Sequence, residues 1–239
     1  MRSIIPTVFH PSMTAETAAR GLKPSEVMQF FDDFDKGYDT TFRWAVVEDA
    51  GAAVGDVITD ANGGVLNVGP DGDDNDEVYV SSITESWQFL SGKRLTFEAR
   101  VKVTEANDDD ANIIIGLSDT VAANSLLDDG AGPMAAYDGA VFFKVDGGTV
   151  WQFEASENAD QDTEASIGAL TSATWTLLRF EFDGVATITP YIDDVECTAV
   201  TFPDLANAGA MHILMGAKAG GTGAEESLLV DYIGVWAER

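Results

Sequence analysis

The feature that most restricts this chain is the alternation of apolar and polar residues in LTFEARVKV, residues 95 to 103. Leu95, Phe97, Ala99, Val101 and Val103 fall on one side of an extended backbone, and Thr96, Glu98, Arg100 and Lys102 fall on the other. Successive side chains of a strand point to opposite faces, so this segment predicts a sheet with one dry face and one wet one. The pattern returns in VYVSS, AVFFKV, TVWQFEA, TWTLLRFEFDG, ATITPYID and LLVDYIGVW. IIIGL and HILMGA lack that alternation and read as strands more fully buried on both faces.

The connections carry the residues that hairpins require. VDGGTV places Gly147 and Gly148 where positive φ values are needed, and FDGVA does the same with Asp183 and Gly184. No amphipathic helix of useful length follows residue 30. Antiparallel strands without helices must bury their apolar faces against one another, which predicts an all-β, two-sheet antiparallel sandwich or jelly roll over residues 30–239. The apolar share of 45% is enough for one large core.

Residues 1–29 form a short arm of different character. TAETAARGL predicts a helix from Thr14 to about Leu22, with Thr14 as N-cap and Gly21 and Pro24 as stops. Residues 1 to 24 hold Arg2, Arg20 and Lys23 against Glu16, a net of +2, which leaves about −30 on the rest of a chain whose total is −28. An acidic body argues against nucleic acid and anionic membranes as partners. The weakly basic arm reads either as an assembly arm that docks on a partner or as a frayed terminus. MRSIIPTVFHP has too short an apolar run for a signal peptide, and no segment reaches membrane-spanning length.

Catalytic equipment is sparse. Cys197 is the single cysteine and reads as a small, at least half-buried strand residue, because a reactive thiolate needs a base or a cationic setting. His212, in MHILMG, reads as a packed imidazole, and His10 lies in the irregular N-terminal stretch. No phosphate-cradling G-x-x-x-x-G-K-[ST] is present, and AKAGGTG lacks the strand-to-helix context that would give its glycines that role. FEASENADQDTE holds Glu154, Glu157, Asp160, Asp162 and Glu164 at mixed spacing in what reads as a strand end and loop, so they are not expected to share a face. Trp87, in SITESWQFL, reads as loop-borne and exposed, while Trp151, Trp175 and Trp236 read as core; Trp44 is a further aromatic. DGDDNDEV begins like a calcium loop but has Asp76 where a glycine is needed and Ser82 where a glutamate is needed, so it reads as a solvated acidic turn.

FFDDFD (30 to 35), GGVLNVG (63 to 69), NDEVYVSS (75 to 82), LTFEARVKV, IIIGLSDT (113 to 120), TWTLLRFEFDG (174 to 184), ITPYIDDVE (188 to 196) and LLVDYIGVWAER (228 to 239) follow one another in an order that resembles a concanavalin A-like lectin/glucanase jelly roll, a group that includes laminin G-like modules. With the arm and the FDDF opening, the chain is most similar to such domains in virion proteins of tailed bacteriophages. That resemblance implies a non-enzymatic virion structural protein, a capsid decoration or projection assembled in the host cytoplasm. Residues 1–29 would anchor it to a major capsid or other virion protein, and the body would form a homo-oligomer. A carbohydrate-binding module that takes a glycan is the alternative. A glucanase would need paired carboxylates, similar to an E-x-D-x-E set along one strand, and none occurs; no catalytic residue is assigned. The same resemblance implies calcium between the first and last strands, with Asp231 and Asp33 or Asp32 as ligands, though Asp231 reads first as a hydrogen-bonding tie between those strands.

Overall fold

The computed structural model describes residues 26–35, 37–48, 57–58, 64–70, 73–105, 110–221 and 226–239. The helix expected at Thr14 to Leu22, and His10, lie outside them. The described strands are β1 (Val27–Asp32), β2 (Trp44–Glu48), β3 (Val57–Ile58), β4 (Val65–Val68), β5 (Glu77–Ser82), β6 (Leu95–Thr104), β7 (Asn112–Ser118) and β8 (Gly139–Lys144). They continue with β9 (Val150–Glu157), β10 (Asp160–Ala169), β11 (Trp175–Phe182), β12 (Thr187–Ile192), β13 (Val195–Glu196), β14 (Val200–Thr201), β15 (His212–Lys218) and β16 (Ser227–Glu238). A nine-stranded sheet runs β13-β12-β11-β6-β16-β4-β3, with β1 also on β16 and β14 also on β12. A seven-stranded sheet runs β10-β9-β8-β7-β15-β5-β2. The fold is the expected two-sheet antiparallel jelly roll.

The sequence alternation becomes the interior directly. Phe97 of β6 stacks on Phe180 of β11 at 5.1 Å, and Phe180 meets Phe153 of β9, in the other sheet, at 5.6 Å. In the two expected hairpins Gly147 and Gly184 take φ values of 71° and 84°, whereas Gly148 and Asp183, also expected there, do not have positive φ. The Asp183 carboxylate accepts the N–H groups of Val185, Ala186 and Thr187, and these hold it below the usual carboxylate range against the opposing effect of burial.

β16 is bordered by β6 along one edge and by β4 and then β1 along the other. Its apolar positions do not keep a period of two: Leu228 and Val230 face the core, and so do Ile233 and Val235. The pairing shifts between Val230, opposite Val101, and Tyr232, opposite Arg100, so Asp231 is the extra residue of a β-bulge. The bulge turns Asp231 and Tyr232 outward together. β1 begins at Val27, which brings the last residues of the arm into the sheet, and Arg239 N–H donates to Glu26 O at 2.9 Å beside it.

Two expectations are corrected here. Residues 160–169 form a full strand, β10, rather than a strand end and loop; as an edge strand wet on most of its surface it has no apolar alternation to betray it. Trp87 is 3% exposed rather than open: it bridges Met211, and with Phe89 it seals the end of the core, where Phe89 meets Phe182 at 4.8 Å and Phe202 at 5.0 Å.

IIIGL is buried on both faces because a third layer covers it. Residues 119–138, the connection from β7 to β8, cross the outer face of the seven-stranded sheet as a strap. Leu126 and Tyr137 of the strap pack on Tyr79, Ile114, Val141 and Leu214 of the sheet. Gly216 makes room for the Tyr79 ring, since a Cβ there would stand 2.2 Å from Tyr79 Cδ1.

Candidate functional site

A two-sheet jelly roll has two outward faces with room for a ligand, and that of the seven-stranded sheet is closed by the strap, which is clamped at both ends. At one end Lys218 of β15, 1% exposed, directs its ammonium at Glu77 Oε2 (3.1 Å), Asn124 Oδ1 (2.7 Å), Leu126 O (3.2 Å) and Asp128 Oδ1 (2.5 Å). Tyr79 O–H donates to Glu77 Oε2 at 2.9 Å and accepts the Leu126 N–H at 2.9 Å, while Asn124 N–H donates to Glu77 Oε1 at 2.8 Å. Burial, then the Glu77 charge, pushes the Tyr79 hydroxyl far above its ordinary range, so it stays a donor. β5 and β15 are neighbours, and the alternation that turns Val78, Val80, Ile213 and Met215 inward turns Glu77, Tyr79 and Lys218 outward beneath the strap.

The far end is a second clamp. Glu154 of β9 is 5% exposed and accepts Tyr137 O–H (2.9 Å), Gln161 Nε2–H (2.9 Å) and Thr163 Oγ1–H (2.6 Å). Burial pushes the Glu154 carboxyl up, and the bonds from Thr163 and Tyr137 oppose that. Between strap and sheet, the cleft lined by Ile114, Ser125, Met134, Tyr137 and Leu214 has no space for a water-sized molecule. Ligand pockets usually enclose about 300–1,000 Å³.

The acidic segment 154–164 divides between two faces. Asp160, Asp162 and Glu164 lie opposite Glu157, Ala155 and Phe153, so these three share one side of β10, while Glu154 lies on the other and the five do not share one face. That side turns away from Glu154 toward the nine-stranded sheet, where Asp162 Oδ2 accepts the Thr201 N–H at 2.6 Å. Glu154 has a tyrosine, a glutamine and a threonine for partners, not a second carboxylate.

At the proposed metal position β1 and β16 do run side by side, with Asp32 opposite Ile233. Asp32 is buried and saturated: it accepts from Phe34 N–H, Arg43 Nη1 and Trp44 Nε1, each at 3.0 Å. Asp231, on the bulge, pairs with Arg100 Nη1 at 2.6 Å, and half-buried Asp33 accepts a long 3.4 Å bond from Asp35 N–H. Among the described residues no group of three or more His, Cys, Asp or Glu side chains is arranged to hold a metal.

Aromatic residues gather instead on the outer face of the nine-stranded sheet. Trp151 is core as expected, but Trp175 and Trp236 are only half-buried there, because Trp175 lies opposite Lys102 and the bulge sets Trp236 outward. The Trp175 ring carries Arg100 at 4.7 Å and Lys102 at 5.1 Å, Arg179 lies 3.9 Å over Tyr191, and Phe31, half exposed, meets Tyr232 at 5.6 Å. Buried Glu98 joins the row through Tyr232 O–H at 2.9 Å. Cys197 is half-buried and burial pushes its thiol up; the imidazole of His212 contacts Ser82 O at 2.6 Å through Nδ1.

No family model and no curated protein matches the sequence. Solved structures do share the fold. The chain is similar to an endo-1,3-beta-glucanase from Streptomyces sioyaensis, with a TM-score of 0.61 and 16% identity over 90% of this chain and 98% of that one. It is similar to the potassium-bound carbohydrate recognition domain of Emp46p (TM-score 0.59, 9% identity, 85% and 94% covered) and to peanut lectin (0.59, 13%, 89% and 97%). At these identities the likeness establishes a concanavalin A-like jelly roll and nothing finer.

Proposed function

We propose that this chain is a non-enzymatic virion structural protein, a phage capsid decoration or projection, in which the N-terminal arm anchors an acidic jelly-roll body to a major capsid or other virion protein. The observation that carries this reading is the clamped strap: it fills the outer face of the seven-stranded sheet, where the buried Glu154 has Tyr137, Gln161 and Thr163 as partners in place of the second carboxylate a hydrolase would need. The contrast between a weakly basic arm and an acidic body supports docking through the arm, and the arm joins the body at Glu26, on the rim of the nine-stranded sheet. A closed homo-oligomer around a virion symmetry axis fits the same picture. Empty capsids should retain the full chain on sedimentation and release it as salt rises. A version lacking residues 1–25, which keeps β1 intact, should stay in the supernatant; equal retention of both forms would overturn the anchoring role.

A second reading is carbohydrate binding, favoured by the outward Trp175, Tyr191 and Tyr232 and by the likeness to lectin and glucanase chains. Trp175→Ala should then abolish hits on a glycan array; an array empty for the unaltered chain, with calcium present, removes this reading.

A further inference from the structure

The inward alternation of three strands ends in charge at one end of the sandwich. Val103 of β6 is followed two residues on by Glu105, Phe142 of β8 by Lys144, and Leu228 of β16 is preceded by Glu226. Lys144 is fully buried and donates to Glu105 Oε2 at 2.7 Å and to Ala111 O at 2.8 Å, while Glu105 Oε2 also accepts Ala111 N–H at 3.2 Å. That lysine and that glutamate satisfy one another.

Glu226 is different. It is 2% exposed, and among the described residues neither carboxylate oxygen has a hydrogen-bond partner of ordinary geometry. The Gly220 N–H leans toward it and Lys144 favours its charge, but Asp110 and Glu105 oppose it. Gly220 itself is wedged between acidic neighbours: a Cβ there would stand 2.1 Å from Asp110 O and 2.7 Å from Asp146 Cγ, and one on Gly221 would stand 3.4 Å from Asp110 Oδ2. Asp110, Asp146 and Glu226 therefore surround one turn, and the most buried of them has no more than the Gly220 N–H directed at it among the described residues.

An ionised carboxylate in such a place is strongly unfavourable without a counter-charge. A hard divalent cation supplies one and accepts carboxylate, main-chain carbonyl and water oxygens together. We infer that Glu226, with Asp110 and Asp146 around the Gly220 turn, forms a calcium site that closes this end of the core. The three side chains do not make a ready cage by themselves, so main-chain oxygens such as Asp110 O and water complete the shell.

The test is thermal unfolding of the full chain at pH 8 in EDTA and in calcium. Calcium at about a hundred times its dissociation constant should raise the midpoint by roughly 5–10 °C for a chain of this length. Glu226→Gln should lose that increment while melting in EDTA no lower than the unaltered chain, because the amide removes the buried charge. Asp110→Asn should shift the calcium midpoint to higher concentration. Equilibrium dialysis should show one bound ion fewer in Glu226→Gln, a difference that cancels diffuse binding to the acidic surface. The inference is overturned if calcium up to about 10 mM leaves the midpoint unchanged, if Glu226→Gln keeps the increment, or if acidification to pH 6 in EDTA stabilises the chain and calcium does not, which would make the missing partner a proton.

Discussion

Lys218→Met removes the ammonium that holds the strap and keeps most of the side-chain stem. Four oxygens lose the ammonium as a donor: Glu77 Oε2, Asn124 Oδ1, Leu126 O and Asp128 Oδ1. The Asp128 side chain is 57% exposed and water can replace the lysine there, but that of Glu77 is 4% exposed and is left as a buried charge. Orphaning one partner of a buried pair costs about 3–5 kcal/mol. Glu77 keeps the bonds from Tyr79 O–H and Asn124 N–H, which places the expected loss near the lower end, about 3 kcal/mol. Urea unfolding at neutral pH, followed by fluorescence of the buried Trp44, Trp87 and Trp151, measures it. The double variant with Glu77→Gln should be less destabilised than Lys218→Met alone, since the stranded charge is gone. Hydrogen exchange should show the Asn124 and Leu126 amides losing protection before those of β7 and β15. A loss below about 1 kcal/mol with strap amides as protected as before would refute the clamp.

Three further outcomes are expected. The Glu226 carboxyl is pushed up to about 7 by burial, then by Asp110 and Glu105, so the folded chain binds a proton that the unfolded chain releases near pH 4.5. Its contribution to stability is complete below the unfolded value and is lost as pH rises through about 7. In EDTA the melting midpoint should fall over that window, and Glu226→Gln should flatten it; parallel slopes would count against the assignment. Cys197, with its thiol pushed up by burial and by Glu196, should react with a disulfide reagent at pH 7 more slowly than free cysteine, and a faster reaction would refute its inert setting. Phe153→Ala, which opens the interior where Phe142 and Phe180 meet it at 4.7 Å and 5.6 Å, should cost about 3–5 kcal/mol in urea unfolding; less than about 1 kcal/mol would mean the sheets close the gap.

Where a strand has one wet and one dry face, its residues disclose it, and β6 is read off LTFEARVKV with its outward Arg100 and inward Phe97. β10 is wet over most of its length, so DQDTEAS carries no such contrast, and the shared side of Asp160, Asp162 and Glu164 emerges only from its pairing with β9. β16 departs in another way: the spacing from Val230 to Ile233 breaks the period, and only the bulge at Asp231 keeps both on the core side. That bulge also explains why Asp231 faces Arg100 and why Trp236 faces outward. The strap was least legible, because its grip depends on single polar residues, Asn124, Leu126 through its main chain, and Asp128, brought to Lys218 from some 90 positions away in sequence. Glu226 gives no local sign at all, since what marks it is the missing partner.

Glu26 and Arg239 lie together at one corner of the nine-stranded sheet, and β1 is held to the C-terminal strand by the six residue pairs from Val27 with Glu238 to Asp32 with Ile233. The rungs between these strands run perpendicular to them. A pull on residues 1–25 directed along β1 loads the six pairs in parallel, as shear, whereas a pull across the sheet opens them one after another from the Val27 end. The body thus has a mechanical grain: tethered by its first residues, it resists tension along the strand axis and peels readily from the side.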